Sequence, residues 1–562
     1  MSVFIGYPSF MAYQMMKGKK DNNEGFPTIP GTIARYSALG LTNEQMKENP
    51  VWVDKTGNGH DLQMKNFAWG GMSGVNGYVQ NFNYFRNNAT VDKVRIDEQS
   101  SNSIKVTLLT SGMGHVIYIP KDVYQFNKSY FIKISSEGYN EGDLFLSFYA
   151  PSTSTATTVK VPLNPNGITE IPAIKEDDFL AVYLFNAAGK VGSITIEQLP
   201  LYPGALVFDG VDDYGVCDNF PILTKEKGYT VVALRQWITY NPNAISAIAT
   251  NASDQSFNGA FTFENYNKGA EQTISYGATQ ITLQYSKSPF SWQTTSKYNG
   301  VNIANGKKDA TNSLVLGRSY PQRNEFANFA IWELVFLDHD ATEEELTKIK
   351  DYFVKTYPWL FPDQAWTVTG KTNEDEDRAT IANITGNGND LLLLNFGFAE
   401  GSGYNEEGEY AGYLVTDGVD DRVVSSSFTL NKNWTIVGNW KMLQPEANKL
   451  SGIVKQNSLF IYNHVDGLNI SINDAWNFFK LKDIRSVNAI CSDGRIYLND
   501  WTEIIDSKQQ TVNESVGTLV IGILGNVYTS LAFKNLGIYN NQILSKDDCI
   551  KAYNYLQTLK AK

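Results

Sequence analysis

Asp54-Lys55-Thr56-Gly57-Asn58-Gly59-His60-Asp61-Leu62, followed by Asn66-Phe67-Ala68-Trp69, returns 329 positions later as Asn383-Ile384-Thr385-Gly386-Asn387-Gly388-Asn389-Asp390-Leu391 with Asn395-Phe396-Gly397-Phe398. Upstream, Gly40-Leu41-Thr42-Asn43-Glu44 returns as Gly370-Lys371-Thr372-Asn373-Glu374, at an offset of 330. Downstream, Leu206-Val207-Phe208-Asp209-Gly210-Val211-Asp212-Asp213 returns as Leu414-Val415-Thr416-Asp417-Gly418-Val419-Asp420-Asp421, and the offset falls to 208. A chain that repeats itself in this way holds two copies of one fold. The shortfall places about 121 extra residues inside the first copy, between Trp69 and Leu206.

The repeat continues to its end. Leu314-Val315-Leu316-Gly317 matches Leu519-Val520-Ile521-Gly522, and Ala330-Ile331-Trp332 is matched with Gly537-Ile538-Tyr539. Each copy closes with a capped helix: Thr342 with Glu345 opens ATEEELTKIKDYFVKTY, and Ser545 with Asp548 opens SKDDCIKAYNYLQTL. Leu346, Ile349 and Phe353 share one face of the first helix, so it is expected to pack against its own sandwich. Pro358 and Pro362, around Trp359-Leu360-Phe361, predict a short stiff hinge between the copies.

The extra segment has a strand rhythm of its own. Ser103–Leu108, Tyr130–Ile134, Asp143–Tyr149, Thr158–Val161, Phe179–Phe185 and Ser193–Glu197 are short, β-rich and separated by turn residues. They predict a small separate sandwich over 78–203. The expected organisation is an N-terminal docking arm over 1–31, a first sandwich from 32–77 plus 204–360, the insert, and a second sandwich over 363–562.

Composition agrees with an all-β chain: 13% of residues are aromatic and 19% charged, with Gly and Asn crowding the stretches between Val/Ile/Thr/Tyr/Phe runs. A net charge of −12 repels a phosphate backbone, and the clusters Lys17-Gly18-Lys19-Lys20 and Lys560-Ala561-Lys562 are too short to offset it, so no nucleic-acid partner is expected. Cys217, Cys491 and Cys549 have neither disulfide nor zinc spacing and predict free buried thiols. No stretch of about 18 apolar residues is present to span a bilayer, and Met1 to Lys20 lacks the pattern of an export signal, so membrane insertion is not expected.

The series T-G-N-G-x-D-L, N-F-x-[WF], a strand ending D-G-V-D-D, L-V-x-G and a short terminal helix resembles the concanavalin A-like lectin/laminin G-like superfamily. It is similar to the version found among structural proteins of crAss-like Bacteroides phages, including the bridge from Ile194 through Val207 into Asp209–Asp213. The resemblance covers most of the two copies. It implies two concanavalin-like jelly-roll sandwiches in tandem, each with a short C-terminal helix, and a lectin-like binding function.

Thr56-Gly57-Asn58-Gly59 predicts a tight turn in which the glycines and the asparagine hold positive φ. Asp209, Asp212 and Asp213, and their counterparts Asp417, Asp420 and Asp421, gather carboxylates without the ligand spacing of a closed calcium loop. Asx-type turns are expected there, with metal binding as the alternative, and no cofactor is expected. The acidic run Glu374–Asp377 lies in a polar stretch with no strand pattern, so it does not offer the paired carboxylates of a glycosidase. His60, His115, His339 and His464 stand beside no nucleophile motif, and no enzymatic activity is expected. Trp292, Tyr298, Trp476 and Trp501 occupy loop-like contexts and are the candidate sugar platforms.

These readings converge on a virion structural protein, a head fibre or tail-associated adhesin, that is assembled in the host cytoplasm and binds host surface polysaccharide. Phe4, Ile5, Tyr7, Phe10, Met11 and Tyr13 form an apolar arm expected to dock on other virion proteins, and a homo-oligomer is expected. A bacterial cell-surface glycan-binding protein is the alternative, and a capsule depolymerase the second.

Overall fold

The computed structural model describes residues 25–562, except 155, 224–226, 240–246, 253–261, 264–279, 286–288, 292–309, 319–323, 409, 444–450, 457–458, 465–466, 473–474, 480–486, 499, 506–513, 525–526 and 562. The protein is all-β: among the described residues only Asn43–Glu48, Glu343–Thr356 and Lys546–Thr558 are α-helical. Apart from one small hairpin, the strands fall into three pairs of sheets.

In the first pair, Asn328–Leu337 is central, with Thr230–Trp237 on one side and Leu206–Asp209 and Thr32–Ser37 on the other. Its facing sheet sets Tyr214–Cys217 between Leu62–Lys65 and Ala310–Leu316. The second pair repeats the arrangement. Leu531–Asn540 lies between Trp434–Met442 and the strands Tyr413–Val415 and Gln364–Thr367, and Arg422–Leu430 lies between Leu391–Leu394 and Ser515–Ile521.

Strand pairing also fixes which residues correspond. Leu206 faces Ile331 while Leu414 faces Phe533, so Trp332 corresponds to Lys534 and Glu333 to Asn535. The sequence match of Ala330-Ile331-Trp332 with Gly537-Ile538-Tyr539 is therefore out of register. Asn328–Leu337 is buried almost throughout, and an apolar run with no alternation does not pin a register.

The repeated turn works through both of its residue types. Gly57 and Gly59 sit at φ 77° and 83°, and Gly386 and Gly388 at 79° and 72°, a region closed to most side chains. The asparagine between them is not in that region, contrary to the expectation. Instead Asn58 Nδ2 donates to the carbonyls of Thr32 and Ile33 at 3.2 and 2.8 Å, and Asn387 Nδ2 to that of Asp363 at 2.8 Å. The motif thus ties each copy's turn to its first strand.

The third pair, from the inserted segment, has five strands in each sheet. Besides the six strands legible in sequence it includes Arg86–Asn87, Val94–Gln99, His115–Pro120 and Ile168–Ile171. The chain enters and leaves side by side: Leu201 N donates to Gly77 O at 2.9 Å and Tyr202 N to Asn76 O at 2.8 Å.

Two expectations about the connections change. Trp359 and Leu360 are buried in a core shared by both copies, Tyr539 Oη donates to Trp359 O at 2.8 Å, and Lys551 Nζ lies 4.1 Å from the Trp359 ring centre. The Pro-flanked segment is a packed strut and not a hinge, because its apolar side chains have a core to enter. Residues 25–31 likewise belong to the body and not to a free arm. Phe26 and Ile29 are buried, with Phe26 edge-on to Tyr352 at 5.1 Å and under the Arg35 guanidinium at 4.4 Å. The docking residues Phe4, Ile5, Tyr7, Phe10, Met11 and Tyr13 lie outside the described residues.

Candidate functional site

Of the four candidate platforms, Trp292 and Tyr298 lie outside the described residues, and Trp476 is on the strand Ala475–Phe479, whose side chains are not described. Trp501 is a correction. It is 3% exposed, with its ring 5.5 Å from Tyr553 of the C-terminal helix at an interplanar angle of 87°, so no face is open to a sugar. Its polar neighbours gave it a loop-like context, while the helix above it supplied the burial.

The two acidic motifs are hydrogen-bonded turns. Asp209 Oδ1 accepts from Val211 N at 2.7 Å, Asp213 Oδ2 from Asp209 N at 2.9 Å, and Asp213 Oδ1 from Ser73 Oγ at 2.9 Å. Asp417 Oδ1 accepts from Val419 N at 2.7 Å and Asp421 Oδ2 from Asp417 N at 2.9 Å. In each turn three carboxylates bring one oxygen apiece within 4.8 Å of one another. The backbone already uses them as acceptors, which is the chemistry of an Asx turn.

Among the described residues an aromatic surface lies on the insert, where sequence reasoning did not place it. Its sheet runs Val159–Pro162, Leu144–Tyr149, Ala181–Asn186, His115–Pro120, Arg86–Asn87. Inward positions such as Leu144, Leu146, Phe148, Val182, Leu184, Val116 and Ile119 fill the insert's core. The outward positions of an antiparallel sheet are ordinarily polar. Here they carry rings, all half-buried: Phe145, Tyr149, Tyr183, Phe185, Tyr118 and His115.

Register aligns these rings into rows. Phe145 is opposite Phe185, which is opposite His115; Lys160 is opposite Ser147, then Tyr183, Tyr118 and Arg86. His115 is 4.5 Å from Tyr183, 5.2 Å from Phe185 and 5.4 Å from Tyr149, centre to centre. Tyr183 is 5.6 Å from Tyr118 and 5.9 Å from Tyr149. A Cβ on Gly114 would come within 3.1 Å of Phe185, so a glycine there leaves room for the ring. Lys160 Nζ sits 4.2 Å from the Phe185 centre.

Electrostatics keep the face in one hydrogen-bonding state near neutrality. Burial, then the neighbouring Tyr118 and Tyr149, raises the Tyr183 phenol, which stays a donor. Burial, then the Lys160 charge, lowers His115, whose neutral ring offers one donor and one acceptor. Ser147 Oγ, buried beneath the rings, has no hydrogen-bond partner.

The opposite sheet of the insert fixes the direction of this face. There Phe131 packs edge-on at 5.2 Å from Tyr553, and Glu170 reaches Lys534 at 3.3 Å, Lys441 at 3.5 Å and Tyr413 Oη at 3.1 Å. Burial alone would raise the Glu170 carboxyl, but the two lysines and the Lys534 and Tyr413 hydrogen bonds take it down to about 2. With one outer face docked on the second copy, the aromatic one points away from it.

No family model matches the chain, and no curated protein does. Among solved structures it is similar to Trypanosoma rangeli sialidase in complex with sialic acid, at 9% identity and a TM-score of 0.26 over 86% of this chain and 97% of that one. It is also similar to a CBM22 tandem domain from Paenibacillus barcinonensis, at 10% identity and a TM-score of 0.16 over 48% of this chain and 99% of the other. A third is the binding domain of Botulinum neurotoxin serotype D, at 10% and 0.21 over 61% and 88%. Scores this low carry no argument about a site.

The expectation that the chain has no enzymatic activity is nevertheless withdrawn. Sialidases stand among its structural likenesses, and the missing carboxylate pair was a sequence argument alone. No catalytic role is drawn from that likeness.

Proposed function

We propose that this protein binds glycans, and that the aromatic face of the insert is where it does so. One observation carries the reading: six rings occupy the outward side of a sheet where an uncommitted sandwich presents polar residues. Sugar rings have apolar CH faces that stack on aromatic side chains, while tyrosine and histidine supply hydrogen bonds to their hydroxyls. Four strand-to-strand steps of about 4.8 Å give the face a span of about 19 Å, suited to an oligosaccharide segment.

The same reading extends to a virion structural protein, a head fibre or tail-associated adhesin, that displays the face toward host polysaccharide. Its support is the resemblance of the tandem repeat and the apolar residues Phe4 to Tyr13, which suit an anchor on neighbouring virion proteins.

A panel of immobilised neutral and acidic polysaccharides tests the reading, probed with the full chain and with Tyr149→Ala/Tyr183→Ala. Loss of two stacking rings is expected to weaken binding at least about tenfold, equivalent to about 1.4 kcal/mol. Reducing ends are assayed in the same wells, so turnover is seen as well as binding. An unchanged affinity in the double variant, or no binding to any polysaccharide, overturns the assignment.

A further inference from the structure

The ring face also carries a charge pattern. The central row begins at Lys160 on one edge strand and ends at Arg86 on the other, with Ser147, Tyr183 and Tyr118 between them. Both cations are exposed, and among the described residues neither meets a carboxylate. Lys160 is held over Phe185, and Arg86 is held by hydrogen bonds from Nη1 to the carbonyls of Asn83 at 2.7 Å and Phe85 at 2.9 Å. These contacts fix both groups without neutralising either.

The outward residues of the ring rows, Pro162, Phe145, Phe185 and His115, then Lys160, Ser147, Tyr183, Tyr118 and Arg86, then Tyr149, Ala181 and Pro120, include no acid. The chain as a whole has 59 acidic residues against 47 basic ones, so this face opposes the average. Two carboxylates near its margins are paired: Asp143 with Lys190 at 2.6 Å and Glu176 with Lys121 at 3.7 Å.

Resting on the glycan-binding reading, we propose that the face selects acidic polysaccharides, with Lys160 and Arg86 meeting carboxylate or sulfate groups while the tyrosines stack on the sugar rings between them. Charge complementarity favours a polymer whose anionic groups are spaced by uncharged ring faces. Two cations on a chain of net charge −12 are too few for a strand with a phosphate at every unit. A single-stranded nucleic acid is therefore the disfavoured polyanion.

The experiment measures binding of the full chain to alginate and hyaluronan as acidic probes, to dextran and pullulan as neutral ones, and to a single-stranded oligonucleotide. Acidic polysaccharides are expected to bind at least about tenfold more tightly than neutral ones, as charge-assisted hydrogen bonds require. That preference should shrink from about 0.1 M to about 1 M salt, where the screening length falls from about 10 Å to about 3 Å. Lys160→Gln/Arg86→Gln is expected to remove the preference while leaving the melting temperature in place. Equal affinity for neutral and acidic probes, or an unchanged preference in the variant, overturns this inference and leaves glycan binding standing. Tighter binding of the oligonucleotide also overturns it. No binding to any polysaccharide removes the underlying reading instead. Because the salt titration uses the unaltered chain, the inference stays testable even if Arg86→Gln disturbs the edge strand.

Discussion

At one pair of equivalent positions the two copies solve the same packing problem differently. In the first, Arg35 and Glu333, on paired strands of the large sheet, form a buried ion pair where that sheet meets the helix: Nε to Oε2 and Nη2 to Oε1 are both 3.1 Å, with Tyr357 Oη donating to Oε1 at 2.8 Å. In the second, strand register puts Ala365 and Asn535 in those places, and Asn535 Nδ2 donates to Leu556 O at 3.3 Å. One fold therefore accepts a charged or a neutral join between its large sheet and its helix. The charged version ties four elements together, since Tyr352 and Tyr357 follow from the helix and Phe26 from the N-terminal side. Its cost is desolvation, which holds the Glu333 carboxyl above the usual range despite Arg35.

The comparison breaks most visibly if one charge is removed alone. Glu333→Ala removes the carboxylate that pairs with the buried Arg35 guanidinium and is expected to destabilise by about 3–5 kcal/mol, read from the denaturation midpoint. Arg35→Met/Glu333→Gln, which makes the join neutral as in the second copy, is expected to lie within about 1 kcal/mol of the parent. A double variant as damaged as the single one would show that the pair is not interchangeable with a neutral join.

A second difference between the copies holds the insert. Trp332 Nε1 donates to Pro203 O at 2.8 Å where the insert leaves the first copy, and its counterpart Lys534 pairs with Glu170 of the insert. The same position of the repeat thus grips the insert at its base and on its flank. Glu170→Gln is expected to cost about 2 kcal/mol, since two lysines lose their counter-ion. The carboxyl is lowered from 4.5 to about 2 in the folded chain. Its contribution is therefore present above pH 4.5 and lost as pH falls through 2. Thermal melts between pH 5 and pH 2 should show the unaltered chain losing stability that the variant never had. Parallel curves would mean that the ion cluster does not hold the insert.

What was legible in the sequence was local. Gly57, Gly59 and the Thr342–Glu345 capping box announce themselves because turn and cap chemistry act over a few residues. The insert was legible from an offset alone. The Arg35–Glu333 pair was not, because its members are 298 residues apart and neither has a local signal. The aromatic face was half-legible: Leu144–Tyr149 and Ala181–Asn186 are apolar in both phases of their alternation, which marks a sheet with a second use for its outer side. Trp501 misled because a Trp beside Asp500 and Thr502 looks solvated until a helix is packed above it.

The smallest expected effect concerns the two Asp-Gly-Val-Asp-Asp turns, where the copies agree. Each buries its last aspartate against the turn backbone, and the geometry repeats almost bond for bond. Burial first, then the Asp209 charge, pushes Asp213 up to about 8, and burial raises Asp421 in the same direction. A cation among the three carboxylates would reverse both shifts by favouring the ionised forms. A turn that stands on its own hydrogen bonds should ignore chelation, so EDTA is expected to leave the melting temperature unchanged within the reproducibility of the scan. The pH response gives an independent check with a definite sign. A carboxyl raised from 3.8 to about 8 contributes stability in full below pH 3.8 and loses it as pH rises through 8. Asp213→Asn removes that titration, so its stability relative to the unaltered chain should rise between pH 5 and pH 8. A melting temperature that falls by several degrees in EDTA and returns with calcium would instead mean that both copies use these carboxylates as ligands.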